Sequence, residues 1–263
     1  MMRNRRRVLL SQLGSGSFAI PTFSGSHAIF GDATQGYIEC YSSGTINFPK
    51  AATIDVFVLG SGLKGGNGTA PFDFRASGGA GGKGAVGSTL NAIDVEGEYT
   101  ITVASDCSST STANKSTAFG ITANTTTNNG GAGGTSSISS SGGSSDNAKK
   151  GTNGTSYPFG ETSGTFYKQL GAGGGGGGTG YYNGQSGSGG NGMNGSGGTL
   201  GGGKGGSGSF GGAAAGSANT GSGGGGGGAY VSMDSSGNYD TPEKNNGGNG
   251  GSGIVIIRWG YAA

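Results

Sequence analysis

The sequence predicts a mainly β and irregular fold in which short β-strands enclose a glycine-rich domain of packed polyglycine II helices. Three observations predict it. Glycine occupies 68 of 263 positions, more than triple ordinary usage. Clear apolar strands stand directly beside the glycine blocks. The longest glycine stretch, 171–228, carries Lys204 as its only charged side chain, whereas a solvated linker has no reason to avoid charge. Disordered chains are also charge-rich and poor in aromatics, yet this one has a net charge of +2, 10 tyrosines and 11 phenylalanines. Glycine loses more backbone freedom on folding than any other residue, so these segments order only if unusual packing or hydrogen bonding compensates.

The elements follow in order. The opening "MMRNRRRVLLSQLGSG" starts basic, but its apolar run, 8–10, is too short for a signal-peptide core or a membrane span. Residues 1–35 are expected to be an attachment segment, with Arg3, Arg5, Arg6 and Arg7 anchoring to an acidic surface or forming a solvated tail. Residues 36–263 form the glycine-rich domain. Within it, Ile54, Val56 and Val58 alternate with Asp55, Phe57 and Leu59, a strand buried on both sides towards its end. Glycine blocks "GSGLKGGNG" and "GGAGGKGAVG" come next. Residues 88–105 then read as a hairpin, with Leu90 and Ala92 on one arm, Tyr99, Ile101 and Val103 on the other, and Glu96-Gly97 at the turn.

From Cys107 to Lys168 serine, threonine, asparagine and glycine dominate, with aromatics placed singly. Beyond Leu170 glycines recur at 171, 174, 177 and 180, then at 189, 192, 195, 198 and 201. Collagen shares this period but needs abundant proline, and the 5 prolines all lie outside the runs. Polyglycine II is the other threefold helix. It retains every N–H, and without Cβ atoms its helices approach closely enough to pair their backbones with one another. The closing "GGNGGSGIVIIRW" ends in a strand, 254–259, whose expected partner is 54–59.

These residues carry a resemblance. The order "TIDVFVLGSGLKGG", "YTITVAS", "STAFGITAN", "GGGGGGAYVS" and "GGNGGSGIVIIRW" resembles the glycine-rich domain of bacteriophage tail fibre and related surface proteins, over about 45–259. More distantly the chain is similar to the tail fibre tip adhesins of T-even-like phages. That likeness implies a polyglycine II sandwich with receptor-reading loops between helices. It also implies a virion protein of the tail or fibre, assembled in the host cytoplasm. Its partners would be other tail or fibre proteins through the N-terminus, a host surface glycan or outer protein, and further copies of itself. The turn Glu96-Gly97 replaces the proline-glycine common in the family, and the strand ends Val103-Ala104-Ser105 rather than in valine-glycine.

Enzymatic chemistry, a cofactor and a metal are not expected. His27 is the sole histidine, which removes histidine triads and multi-histidine metal sites; it reads as a surface or strand-edge residue. Asp94, Glu96 and Glu98 read as a solvated strand face rather than a glycosidase pair. The acidic loop 234–243 misses the spacing of a calcium loop. "GTLGGGKG" has Gly205 where a phosphate-binding loop needs Ser or Thr. Cys40 and Cys107 form no CxxC motif and are expected as free thiols. The slight positive charge argues against nucleic acid, and no membrane insertion is expected. Binding remains. Aromatic rings on short loops offer contact area at low entropic cost, and the candidates are Tyr157, Phe159, Phe166, Tyr167, Tyr181, Tyr182 and Tyr239. A structural fibre, spacer or decoration role without a receptor is the alternative.

Overall fold

A computed structural model describes residues 19–70, 75–132, 135–139, 142–145, 151–154, 158–161, 168–183, 190–191, 202–203, 212–233, 236, 238 and 243–261. Ten strands carry the description: β1 (Thr22–Phe23), β2 (His27–Gly31), β3 (Gly36–Cys40), β4 (Gly44–Leu59), β5 (Ser88–Ile101), β6 (Ser116–Ala118), β7 (Ile121–Ala123), β8 (Thr179–Asn183), β9 (Ala229–Met233) and β10 (Ile254–Trp259). Among the described residues the only helical element is a single 3-10 turn, Pro158–Gly160.

The main sheet runs β2–β3–β10–β4–β5, with β1 also on β4, and every pairing is antiparallel. β10 takes the expected partner: Ile254 faces Leu59 and Trp259 faces Ile54. Its other edge pairs with β3, from Val255–Cys40 to Trp259–Gly36. Alternation then sorts the side chains. Ile38, Cys40, Ile54, Val56, Val58, Val255, Ile257 and Trp259 enter one core, and the β6–β7 hairpin adds Ala118 and Ala123 to it. Tyr37, Phe57, Leu59, Ile254 and Ile256 enter a second core with Ala85 and Leu170. Both faces of the seam are thus buried, as the unbroken apolar runs predict. Residues 22–31, expected within the attachment segment, pair into this sheet, and Phe23 joins the first core.

The expected hairpin over 88–105 does not form. Residues 88–101 are one continuous strand paired with β4, from Gly44–Ile101 to Val58–Ser88. Alternation correctly marks the segment as extended, but it does not choose the partner. Gly97, at φ 83°, is an irregularity in the ladder rather than a turn: Phe48 pairs with Gly97 and Ala52 with Val95. The tight turn lies at Phe119-Gly120, between β6 and β7, with φ of 48° and 81°. Such positive values suit a two-residue hairpin but strain a phenylalanine. Packing of Phe119 on Tyr99, 4.9 Å between ring centroids, offsets that strain.

Between β4 and β5 the chain makes an excursion into the glycine lattice. The run 221–228 stands at its centre and is wholly buried. Its N–H groups leave in three directions: Gly223 and Gly226 donate to Ala172 and Gly175, Gly224 and Gly227 to Leu63 and Gly66, and Gly225 to Ala214. Its carbonyls leave in three others: Gly221, Gly224 and Gly227 accept from Ala85, Gly82 and Gly79, Ser222, Gly225 and Gly228 from Gly251, Gly248 and Asn245, and Gly223 from Gly203. Each partner recurs at every third residue. That is the threefold helix, and three donor plus three acceptor directions surround the centre with six neighbours. The described neighbours are 61–69, 77–85, 171–178, 202–203, 212–217 and 245–253.

Close approach explains the composition. A Cβ at Gly223, Gly224, Gly226 or Gly227 would lie 1.9–2.0 Å from a carbonyl oxygen of a neighbouring run. The glycines expected at 171, 174 and 177 belong to one of these helices, while 189, 192, 195, 198 and 201 lie outside the described residues apart from their sequence register.

Candidate functional site

The lattice has two different ends. Gly60 enters it from β4 and Gly253 leaves it into β10, so the sheet caps one end. Gly221 and Leu170 lie at that end too: Gly221 donates to Ser252, and Leu170 packs under the sheet. The runs 171–178 and 221–228 therefore both point away from the sheet. They continue as β8 and β9, a parallel ribbon pairing Thr179 with Ala229 and Asn183 with Met233. A run of eight threefold residues spans roughly 25 Å.

Tyr181 and Tyr182 stand on this ribbon, opposite Val231 and Ser232, at the end remote from the sheet. Phe159 does not join them. It sits in the 3-10 turn at the sheet end, at φ 60°, half-buried against the second core. Tyr157, Phe166, Tyr167 and Tyr239 lie outside the described residues, as do Arg3, Arg5, Arg6 and Arg7.

An ionic seam that the sequence reading missed lies on the second face of the sheet. Arg258 of β10 donates from Nε to Asp55 Oδ2 and from Nη1 to Glu161 Oε1, both at 2.7 Å. Its guanidinium lies 4.3 Å from the Phe159 ring centroid and 4.7 Å from that of Tyr261, an arrangement suited to a planar cation. Asp55 also accepts from Ala92 N. One strand over, Glu39 pairs with Lys168 and accepts from the Tyr41 hydroxyl at 2.8 Å. Burial pushes the Lys168 ammonium below the usual lysine value even with Glu39 beside it. These contacts fasten Phe159, Glu161 and Lys168, the last just before the start of a lattice helix, onto the sheet. The signal was present: Glu39, Asp55 and Arg258 are charges inside apolar strands, which remain buried only when paired.

The other titratable groups weighed in the sequence lie elsewhere in the fold. His27 is exposed on the edge strand β2 and bonds Gly25 O through Nδ1 at 2.7 Å. Asp94, Glu96 and Glu98 are all exposed on one face of β5. Cys40 and Cys107 are free and buried, and burial pushes the Cys40 thiol up to about 12. Among the described residues no group of three His, Cys, Asp or Glu is placed to hold a metal ion, and no helix is long and apolar enough to cross a membrane.

With the strand order, seam and lattice in place, the comparison with family models is direct: that of the glycine-rich domain matches residues 41–260. The chain belongs to the glycine-rich domain family. The match begins beside the end of β3 and closes just after β10, so the glycine-rich domain contains the whole lattice together with β4 and β10, which seal it. No curated protein matches the chain.

Proposed function

We propose that this glycine-rich domain protein is a bacteriophage virion component, a tail fibre or tail tip adhesin that recognises a host cell surface without enzymatic chemistry. The observation that carries this reading is the polarity of the lattice. The first described strands, β1 and β2, enter at the sheet end, and the ribbon bearing Tyr181 and Tyr182 leaves at the other. A lattice of backbone has little side-chain chemistry to read a partner, so recognition falls to what protrudes from it. The N-terminal segment then docks to other tail or fibre proteins, and the loops beyond the lattice face the host.

The packing of Phe159 beneath Arg258 favours a structural role for that one ring, and the test includes it as an internal contrast. Purified protein is measured for host-cell binding and glycan hydrolysis. Combined alanine changes at Tyr157, Tyr181 and Tyr182 reduce binding at least tenfold, as expected of hot-spot aromatics, and leave the melting temperature near the parent's. Phe159→Ala lowers stability instead. Binding retained with the fold intact assigns the protein to the purely structural class, and hydrolysis assigns it to the depolymerases.

A further inference from the structure

An open cleft of about 430 Å³ lies at the sheet end, where the β3–β4 turn, the chain just after β5 and the last lattice run meet. Tyr41, Ser43, Ser105, Asp106 and Ser252 are among its lining residues.

The lining is held in place before any ligand arrives. Tyr41 is fixed through its hydroxyl on Glu39, which Lys168 holds in turn. Ser43 Oγ accepts from Val103 N at 3.0 Å, and Ser252 Oγ accepts from Asn219 N at 2.8 Å. The Asn114 amide donates to the carbonyls of Ser105 and Asp106 at 3.2 and 2.9 Å, and the neighbouring Cys107 pairs with Gly250 in both directions. Asp106 differs from the rest: its backbone is clamped, its side chain is exposed, and no hydrogen bond or ion pair engages its carboxylate among the described residues.

An aromatic ring, an acceptor-only carboxylate and fixed hydroxyls on a rigid frame match one chemistry well. We propose that the cleft binds a neutral hexose unit of a glycan, with the sugar face against Tyr41 and adjacent hydroxyls donating to Asp106. A carboxylate accepts from two donors side by side, and the ring supplies an apolar wall at no further entropic cost. The same carboxylate repels acidic sugars. This site is distinct from the loops assigned to host recognition. It relies on that reading for its biological setting alone, because its test uses no cells.

Saturation-transfer NMR on the full chain is the test, with methyl hexosides as probes and glucuronate and tetramethylammonium as controls. Transfer to at least one neutral hexoside is expected, with a Kd on the order of 1 mM, and none to glucuronate. Asp106→Ala weakens it at least fivefold with an unchanged melting temperature. Tyr41→Ala, which removes the ring, weakens it at least fivefold as well, and transfer undiminished in that variant equally overturns the proposal. Absence of transfer from the parent protein overturns the proposal. So does transfer undiminished in Asp106→Ala, or displacement of the hexoside by tetramethylammonium, which would make the cleft a cation site. Because these variants leave the remote ribbon untouched, failure here and failure of the cell-binding experiment remain distinguishable.

Discussion

Replacing Gly224 by alanine tests the lattice at its centre. The backbone there lies outside the positive-φ region, so alanine meets no conformational barrier; the obstacle is a neighbour. The new Cβ would lie 2.0 Å from Gly248 O, against 3.4 Å for ordinary contact. The run 245–253 must therefore retreat by about 1.4 Å. That stretches the bond from Gly248 N to Gly225 O, now 2.9 Å, beyond hydrogen-bonding range. Each buried group left unpaired costs about 1–3 kcal/mol. Offset by about 0.4–1 kcal/mol from the stiffer unfolded chain, the expected net loss is roughly 2–5 kcal/mol. At about 2–4 °C per kcal/mol the melting temperature drops by roughly 4–20 °C. Gly66→Ala is the control from the same lattice, because a Cβ there meets nothing nearer than 3.4 Å. It should be neutral or stabilise by up to about 1 kcal/mol. Calorimetry on both variants decides the matter: equal melting temperatures would refute close approach as the reason for glycine.

Ile256, 2% exposed and paired with Glu39, should not tolerate aspartate. Ile256→Asp buries a second carboxylate beside the first and lowers stability by several kcal/mol in urea titration; an unchanged midpoint removes β10 from its sealing role. Arg258→Met leaves Asp55 buried without its cation and costs about 3–5 kcal/mol. Adding Asp55→Asn should recover part of that loss in a double-mutant cycle. For pH dependence, burial raises the Cys40 thiol from 9.0 to about 12. The native state then keeps a proton that the unfolded chain has lost, so this contribution weakens stability as pH rises through that window. The raised Tyr37 and Tyr41 hydroxyls act in the same direction, and the lowered Lys168 in the opposite one. Cys40→Ala should therefore flatten the alkaline slope of stability measured by denaturant titration between pH 8 and 11; an identical slope contradicts the assignment.

Much of this architecture was legible because it follows from short-range rules. Unbroken apolar runs at 54–59 and 254–259 announce strands with both faces covered, and two such strands in one chain find each other. Glycines three apart at 171, 174 and 177 announce a threefold helix. Pairing partners were harder. Residues 88–101 alternate as well as any hairpin arm, but 60–70 and 75–87 pass through the lattice and bring the chain back so that β5 lies along β4 over its whole length. The arrangement of the lattice was equally hidden, since "GGGGGG" occurs at both 173–178 and 223–228, both runs are wholly buried, and nothing local says which neighbours each one meets. Of the candidate site, the sequence supplied Tyr181 and Tyr182 but not their shared position with β9, which rests on a parallel pairing across some fifty residues. The ionic seam could have been suspected from Arg258, Asp55 and Glu39, each a lone charge in an apolar strand.

Six neighbours around one run also impose an order on biosynthesis. Residues 61–69 and 77–85 emerge from the ribosome well before 221–228, the segment that supplies their shared hydrogen-bond partner. At about 5–20 residues per second the wait is roughly 7–30 s. The glycine runs can spend it harmlessly in water, having little apolar surface to aggregate. β4 cannot: its residues 54–59 wait still longer for β10. The vulnerable moment in the life of this molecule thus belongs to one half-made sheet, and a chaperone that covers a single apolar strand would protect the whole.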